Sequence, residues 1–153
     1  EERKLADFAI LEPAWSPDSS RIVFLSNKAG SPQLYTIQAN GSNLRQVTRA
    51  VPGINGGADW SPAGDDLAFQ VRTGGADEIF TIGSTGRDMR QLTEDGDNRS
   101  PAYSPDGKWI VFVSERSGNQ DLYVMRADGS QVTRLTGDPG AKSQPAWGTG
   151  RIQ

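Results

Sequence analysis

The acidic stretch Glu94-Asp95-Gly96-Asp97-Asn98 brings several carboxylate and amide oxygens into one short segment of the 153-residue chain. Oxygen atoms of these groups are the ligands that Ca²⁺ prefers in proteins. The stretch has neither the ligand spacing nor the terminal Glu of an EF-hand loop. Two interpretations therefore stay open, a solvated acidic loop or a weak metal site at Asp95, Asp97 and Asn98. We expect no resident metal ion and no cofactor.

Several other polar and charged side chains lie outside the pattern that repeats along the chain. Asp59 stands at a position where Ala14, Ala102 and Ala146 occupy the equivalent places. A carboxylate there would face either a central channel or a neighbouring repeat unit, and when buried it needs a partner. Three basic residues, one in each connection between units, could pair with acidic groups of a partner or could be ordinary surface cations. The predicted partner-binding residues are Arg49, Asn55, Asp59, Asp95, Asp97, Asn98, Arg99 and Lys142.

The composition excludes several classes of chemistry. The chain contains no His and no Cys, which excludes within it a zinc site, a haem ligand, a Ser–His–Asp or Cys–His nucleophile and a His general base. The net charge of −3 without a basic cluster argues against nucleic acid or an anionic membrane surface as a partner. No apolar run reaches the roughly 20 residues of a spanning helix, so no membrane insertion is predicted. No charged-then-apolar leader opens the sequence, and residue 1 is expected to be a mature or trimmed end.

The elements that must position these side chains are three copies of one unit. The copies span residues 16–48, 61–93 and 104–136, and they align without a gap over 33 residues each. Ser and Pro open every copy, Thr closes it, and one Phe and two Gly recur at fixed offsets between them. Such a register predicts a repeat architecture, in which the recurring residues serve the fold.

Each copy predicts four antiparallel strands, because its hydrophobic pattern has a period of two and turn residues interrupt it at fixed offsets. The second strand is nearly continuous in hydrophobicity, so both of its faces are expected to be buried. The fourth strand is more polar, as an outermost strand should be. Four strands in about 40–45 residues are typical of one propeller blade. The predicted strands are 13–15, 21–26, 33–38 and 44–48 in the first copy, 58–60, 67–71, 78–82 and 89–93 in the second, and 101–103, 109–114, 121–126 and 132–136 in the third.

The predicted fold class is all-β, with the whole chain forming one propeller module. Propellers have about 4–8 blades around a channel, so three blades are expected to be part of a larger propeller or to be completed by association of copies, a dimer giving a six-bladed ring. The module is divided into an outer strand of a preceding blade with its connection (1–12), blades at approximately 13–48, 58–93 and 101–136, and the start of a further blade (145–153).

The length of the repeat varies only between the fourth strand of one unit and the first strand of the next. Since insertions are tolerated in surface loops, these connections are predicted to lie together on one rim of the propeller. This rim, here called the loop rim, comprises residues 49–57, 94–100 and 137–144. The opposite rim, here called the turn rim, carries the Ser-Pro turns at 16–20, 61–65 and 104–108.

The aromatic residues of the first strands recur at one position of the unit. They could line a channel and stack on a sugar or a peptide, but their repetition favours packing between neighbouring blades. Residues that do not repeat are better functional candidates, because the fold does not need them. The recurring aromatic residues are Trp15, Trp60, Tyr103 and Trp147.

The segments PAWSPD, PAYSPDGKWIVFVSERSGNQDLYVMRADGS and RLT resemble the repeat of the TolB-type, WD40-like β-propeller family, and the resemblance covers residues 13–147. It implies a non-enzymatic scaffold of the periplasm or cell envelope, periplasmic or extracellular in location, that binds protein or peptide partners through the propeller rim and channel mouth. Similar blades also occur in tricorn-type proteases and in the non-catalytic propeller of prolyl-oligopeptidase relatives. The family is defined by its blade, so no catalytic residue carries over.

Two other functions stay open beside partner binding. One is a carbohydrate- or calcium-binding propeller, favoured by the acidic stretch at 94–98. The other is the non-catalytic propeller part of a larger peptidase, which the distribution of similar blades allows. The absence of His argues against lyase chemistry of the kind that relatives with this blade type perform by family expectation.

Overall fold

The computed structural model describes residues 9–138, 140 and 142–148, which form twelve β-strands and no helix. Accordingly, no described segment is a helix that could span a membrane. The strands are β1 Leu11–Trp15, β2 Arg21–Ser26, β3 Gln33–Gln38, β4 Arg45–Gln46, β5 Ile54–Trp60, β6 Asp66–Thr73, β7 Ala76–Gly83, β8 Arg90–Gln91, β9 Asn98–Tyr103, β10 Trp109–Ser114, β11 Asp121–Arg126 and β12 Thr133–Arg134.

The strands form three separate four-stranded sheets, each with consecutive strands as antiparallel neighbours. The sheets are β1–β4, β5–β8 and β9–β12, here called the first, second and third blades. This arrangement confirms the predicted all-β fold of propeller blades. The outer strand of a preceding blade was predicted within residues 1–12, of which residues 1–8 lie outside the described residues. The contact between the first and second blades is called the first junction, and that between the second and third blades the second junction.

The inner strands β5 and β9 begin earlier than the sequence predicted. Ile54 pairs with Val71, and Asn98 pairs with Ser114, so part of each connection assigned to the loop rim is a strand. An irregular register in each inner strand lets it follow its neighbour over this extra length. The true loops of the loop rim between blades are therefore shorter than predicted.

The outer strands are shorter than predicted, with only two residues each. The residue two positions before each of them has a left-handed backbone, with φ of 54° at Asn43, 57° at Asp88 and 55° at Gln131. The turn that precedes each outer strand therefore delays its pairing with the third strand.

The second strands form the centre of each blade. Phe24, Phe69 and Phe112 are completely buried, and the residue before each of them, which points to the opposite face, is buried too, which confirms that these strands are covered on both faces. Each Phe packs beside an aromatic residue of the third strand, with ring centroids 5.9 to 6.2 Å apart. One such pair per blade explains why Phe recurs in every copy.

The recurring Ser and Thr residues bond the backbone at the two ends of each blade. The opening Ser16, for example, accepts a hydrogen bond from the Arg21 backbone N–H at 2.9 Å. The closing Thr48 accepts one from the Leu34 N–H at 2.8 Å. The same bonds occur in the second and third blades, so these identities satisfy buried backbone donors and carry no specific function.

The first-strand aromatic residues join successive blades. Trp60 is only 5% exposed, and its indole N–H donates to the Ala14 carbonyl at 3.2 Å. Trp147 makes the equivalent bond to the Ala102 carbonyl at 3.0 Å. Trp60 therefore packs between blades, as its repetition predicted. Trp15, at the start of the arc, is 58% exposed among the described residues.

Candidate functional site

The inner strands β1, β5 and β9 line a groove on the concave side of the arc. The groove has a volume of about 750 Å³, and residues 144–146 continue its wall beyond β9. Gly57 allows the close approach of the first two strands, because a Cβ there would lie 2.6 Å from the Glu12 Cβ. The Glu12 carboxylate accepts a hydrogen bond from the Gly57 N–H at 2.6 Å. The groove thus combines backbone amides with a few charged side chains.

Arg99 lies at the loop-rim end of this groove and connects three carboxylates. Its guanidinium pairs with Asp97 at 2.9 Å and also with Glu115. Its Nε lies 3.9 Å from a carboxylate oxygen of Asp77 and is buried without a hydrogen-bond partner among the described residues. Since Arg72 also pairs with Asp77, two cations face three acids, which leaves one net negative charge for a ligand to meet.

Asp77, at the start of β7, is the buried centre of the cluster. Its carboxylate accepts hydrogen bonds from Asn55 at 2.8 Å and from Arg72 at 3.2 Å. Its backbone N–H donates to the Asp97 carboxylate at 2.9 Å. The loop before β9 is therefore bonded directly to the second blade.

Asn98, one of the predicted partner-binding residues, is completely buried. Its side-chain amide donates to Glu78 at 2.8 Å and to the Asp95 carbonyl at 2.9 Å. Its side-chain oxygen accepts a hydrogen bond from Arg116 at 3.1 Å. Asn98 is a structural residue of the second junction, since every one of these groups belongs to the protein.

The predicted weak metal ligands do not converge on one point. Asp97 is engaged by Arg99 and by a backbone amide, and Asn98 by Glu78 and Arg116. Asp95 is exposed. Over the ranges that the structure describes, no group of three acidic residues could hold a metal ion.

Asp59 lies in the wall of the groove and bonds the neighbouring blade. Its carboxylate accepts a hydrogen bond from the Tyr103 backbone N–H at 2.7 Å. Burial raises the pKa of Asp59, while hydrogen bonds from the Tyr103 and Trp60 backbone amides act to lower it. The partner that the sequence required for this carboxylate is thus a backbone donor in the third blade.

The two remaining predicted cations are separate from this cluster. Arg49 is exposed in the loop between the first two blades. The Lys142 ammonium donates to the carbonyls of Asp138 and Gly140 at 3.2 and 3.0 Å. Of the predicted site residues, the structure brings together Asn55, Asp97 and Arg99 around Asp77, with Asp59 further along the same groove.

Sequence reasoning missed Asp77, Arg72 and Glu115. All three lie beside the turns between the second and third strands of their blades, whereas the predicted candidates other than Asp59 come from the connections between blades. The signal was present, because in an up-and-down blade both kinds of connection end on the same rim. A charge that does not repeat, such as Asp77 where Pro32 and Gln120 are equivalent, would have identified them.

The chain resembles known propellers in sequence and in structure. A family model described as the TolB beta propeller domain matches residues 45–151. The Tol-Pal system protein TolB of Anaeromyxobacter dehalogenans is 36% identical over 138 residues, which cover 90% of this chain and 21% of that protein. The chain thus spans about a fifth of the length of this curated relative.

Solved structures give the same result. A crystal structure of TolB from Acinetobacter baumannii superposes with a TM-score of 0.77 at 29% identity, over 88% of this chain and 34% of that one. An oligogalacturonate lyase solved with manganese has a TM-score of 0.64 at 21% identity, over 82% of this chain and 36% of that one. At that identity the likeness to the lyase concerns the fold alone.

Proposed function

Because the chain belongs to the TolB β-propeller family, we propose that it is a non-enzymatic module that binds protein or peptide partners of the cell envelope at the loop rim and channel mouth. The observation that carries this proposal is the groove of about 750 Å³ between the inner strands. Its charged mouth offers Arg99 with its acidic neighbours to polar groups of a partner. The relative's name supports a place in a Tol-Pal system, and hence in the periplasm.

The chemistry of the groove fits recognition better than catalysis. The sequence has no His and no Cys, and the carboxylates at the mouth are held by arginine, asparagine and backbone donors. Carboxylates fixed in this way present charge and hydrogen-bond acceptors to a partner. Turnover of peptides or of acidic oligosaccharides by the purified chain would contradict this assignment.

Site-specific crosslinking tests where partners bind. A photoreactive amino acid at Asn55, exposed at the mouth of the groove, is expected to form adducts with purified Tol-Pal proteins. The matched control carries the same amino acid at Arg45, which is exposed on the outer strand β4. Equal yields at both positions, or no adduct at Asn55, would remove the loop rim as the binding surface. Arg99→Glu should reduce the Asn55 yield several-fold if the charge at the mouth selects the partner.

We also infer that further blades cover both ends of the arc. Trp15 and Leu135 are 58% and 54% exposed. Trp60, which is the equivalent of Trp15 in the second blade, is buried between blades. Large apolar side chains at a blade face need a neighbouring blade. A longer chain or a second copy would supply it, and light scattering separates the two: a mass of 16.5 kDa for this chain excludes the second copy, and twice that mass supports it.

A further inference from the structure

The turn rim has its own cavity at the second junction, on the side opposite the loop rim. Its volume is about 430 Å³. The side chains of Asp65, Asp66, Arg90 and Tyr103 lie in its wall, together with Gly107. None of these residues belongs to the groove described above, so the cavity is a separate surface.

At the first junction an arginine lies in the equivalent space, and cavities of about 480 and 290 Å³ remain beside it. The Arg21 guanidinium lies over the Trp60 ring, 4.7 Å from its centroid. Its terminal nitrogen donates to the Gly64 carbonyl at 3.0 Å. An aromatic face and a carbonyl oxygen together suit a planar cation that donates in its own plane. The first junction therefore shows which chemical group this position accepts.

The second junction has an equivalent aromatic ring and an equivalent carbonyl oxygen but lacks the arginine. In the gap-free repeat, Tyr103 is equivalent to Trp60 and Gly107 to Gly64, while Asp66 takes the place of Arg21. The Gly64 carbonyl also accepts a hydrogen bond from Ser84 at 3.2 Å, and the equivalent of Ser84 is Ala127, which has no hydroxyl. Within the described residues, no side chain donates to the Gly107 carbonyl.

The Tyr103 hydroxyl is a second unused group in this cavity. Tyr103 is only 9% exposed, and within the described part of the chain its hydroxyl has no hydrogen-bond partner. Burial, together with the nearby Asp66 and Asp65 carboxylates, raises its pKa, so the hydroxyl stays protonated at neutral pH. Because Arg99 Nε is the only buried side-chain nitrogen or oxygen without a partner among the described residues, the Tyr103 hydroxyl must be accessible to solvent and can bond a ligand in the cavity.

The charges around the cavity favour a cation. Asp66 has no ion pair within the described residues. Burial and the negative charges of Asp65 and Asp88 raise the pKa of Asp66, while the positive charge of Arg90 acts to lower it. The other carboxylates in the wall have partners within the chain: Asp65 with Ser61, Asp106 with Ser104 and Lys108, and Asp128 with Ser130. Four aspartates against one arginine leave an excess of negative charge in the wall.

We propose that this cavity binds an arginine side chain of a partner protein, with the guanidinium stacked on Tyr103 and donating to the Gly107 carbonyl and the Asp66 carboxylate. Arginine fits better than lysine because its planar fork can stack and donate to two acceptors together. The site lies on the rim opposite the channel mouth, so it adds a second contact surface to the proposed function and does not depend on it.

Titration with short peptides tests the site directly. Acetyl-Gly-Arg-Gly-amide, added to the ¹⁵N-labelled chain, is expected to shift the backbone amide signals of Asp66, Tyr103 and Gly107 in a saturable way. Acetyl-Gly-Lys-Gly-amide should bind at least about threefold more weakly, because an ammonium cannot stack and bridge in the same manner. Equal binding of the two peptides would overturn the assignment to arginine.

Substitutions that exchange the two junctions make the test specific. Asp66→Arg supplies the arginine that the first junction already holds, and it should weaken peptide binding at least tenfold. Arg21→Asp should open an equivalent site, with a second set of shifts at Trp60 and Gly64. Glu94→Gln, which removes an exposed carboxylate on the loop rim, is the control and should leave binding unchanged.

The outcomes separate clearly. Unchanged binding in Asp66→Arg refutes the proposal, as does an equal loss in Glu94→Gln. If Asp66→Arg gives the spectrum of an unfolded chain, Asp66→Asn takes its place, because asparagine keeps the shape of the side chain. Asp66→Asn should still weaken peptide binding about tenfold. Unchanged affinity of that variant for the peptide also refutes the proposal. Loop-rim crosslinking that fails while the peptide still binds would contradict the proposed function alone.

Discussion

The two junctions of the arc join the same kind of blade by different means. At the first junction one apolar cluster extends from Val23 and Leu34 to Trp60 and Phe69, across both blades. At the second junction, among the described residues, the second blade contributes the buried Ala68 and Ile79 and the partly buried Leu92 to the apolar cluster. Polar side chains make up the difference, among them Glu78 with Asn98.

Among the described residues, four hydrogen bonds cross the second junction from loop rim to groove, while those across the first junction include Gly57 to Glu12, Trp60 to Ala14 and Arg21 to Gly64. The Asp77 and Ser100 N–H groups donate to Asp97 and Gln70, the Asn98 amide donates to Glu78, and the Tyr103 N–H donates to Asp59. Bonds of this kind depend on geometry more steeply than apolar contacts do. We therefore expect the first junction to contribute more to the free energy of unfolding. We expect the second junction to fix the orientation of the third blade relative to the second and to present charged side chains at the surface.

Trp60→Ala should have the largest effect, because it removes the centre of the apolar junction. We expect a loss of about 3–5 kcal/mol in the free energy of unfolding, as for other buried aromatic residues truncated to alanine. Urea unfolding followed by circular dichroism measures it. Trp147→Ala is the matched control, since it makes the same indole bond but is 37% exposed; a control loss as large as that of Trp60→Ala would contradict the comparison.

Asn98→Ala tests the polar junction and should have the next largest effect. The substitution leaves the buried Glu78 carboxylate without one of its donors, and the expected loss is about 1–3 kcal/mol. Asn119→Ala, which truncates an exposed asparagine in the turn between β10 and β11 on the same rim, should change stability by less than about 0.5 kcal/mol. If the two substitutions cost the same, the buried network would not be what holds the second junction together.

The repeat made most of the fold predictable from sequence. Ser16, Phe24 and Thr48 recur because each makes the same hydrogen bond or packing contact within every blade. A contact that each blade requires places the same residue type at a fixed offset in every copy. The turns could also be predicted. Gly86 has φ of +87°, and a Cβ there would lie 2.5 Å from the Val47 carbonyl of the preceding blade. Because no other residue type fits this position, glycine recurs there in every copy and marks the turn in the sequence.

The candidate site was only partly predictable, because it depends on contacts between blades. Residues 54–57 are Ile-Asn-Gly-Gly, which local propensity favours as a loop, yet pairing with β6 makes them a strand. Asn98 looked like a loop residue of an acidic segment and is a buried partner of Glu78. Asp77 repeats in no other copy, and only the structure shows that it lies against Arg99. Such contacts depend on the pairing register of the strands and on which loops share a rim, and both are determined by the tertiary structure.

Arg21→Ala should have a smaller effect than either junction substitution. The guanidinium is partly exposed over Trp60, and cation–π contacts of this kind contribute about 0.5–1 kcal/mol. Thermal or urea unfolding measures the loss. Arg45→Ala, exposed on β4, should be neutral within about 0.5 kcal/mol; a loss at Arg45 equal to that at Arg21 would mean that net charge, and not stacking, is responsible.

Asp59→Asn should have the smallest effect and should reveal itself as a dependence on pH. Asparagine can still accept the hydrogen bond from the Tyr103 N–H. Burial raises the pKa of Asp59 above its ordinary value of 3.8, so ionisation favours the unfolded chain. This penalty is absent below pH 3.8 and grows as the pH rises through the folded-state pKa. The stability of Asp59→Asn relative to the parent chain should therefore increase with pH and then level off.

The turn aspartate Asp18 provides a control of opposite sign. Hydrogen bonds from Ser16 and Ser20 lower the pKa of Asp18 to about 2, so its ionised form favours the folded chain. Its contribution is present above pH 3.8 and is lost as the pH falls toward 2. Asp18→Asn should thus lose stability relative to the parent chain as the pH rises through this range, where Asp59→Asn gains it. Unfolding curves at a series of pH values that gave both variants the same slope would show that the Asp59 carboxylate is solvated in the groove wall.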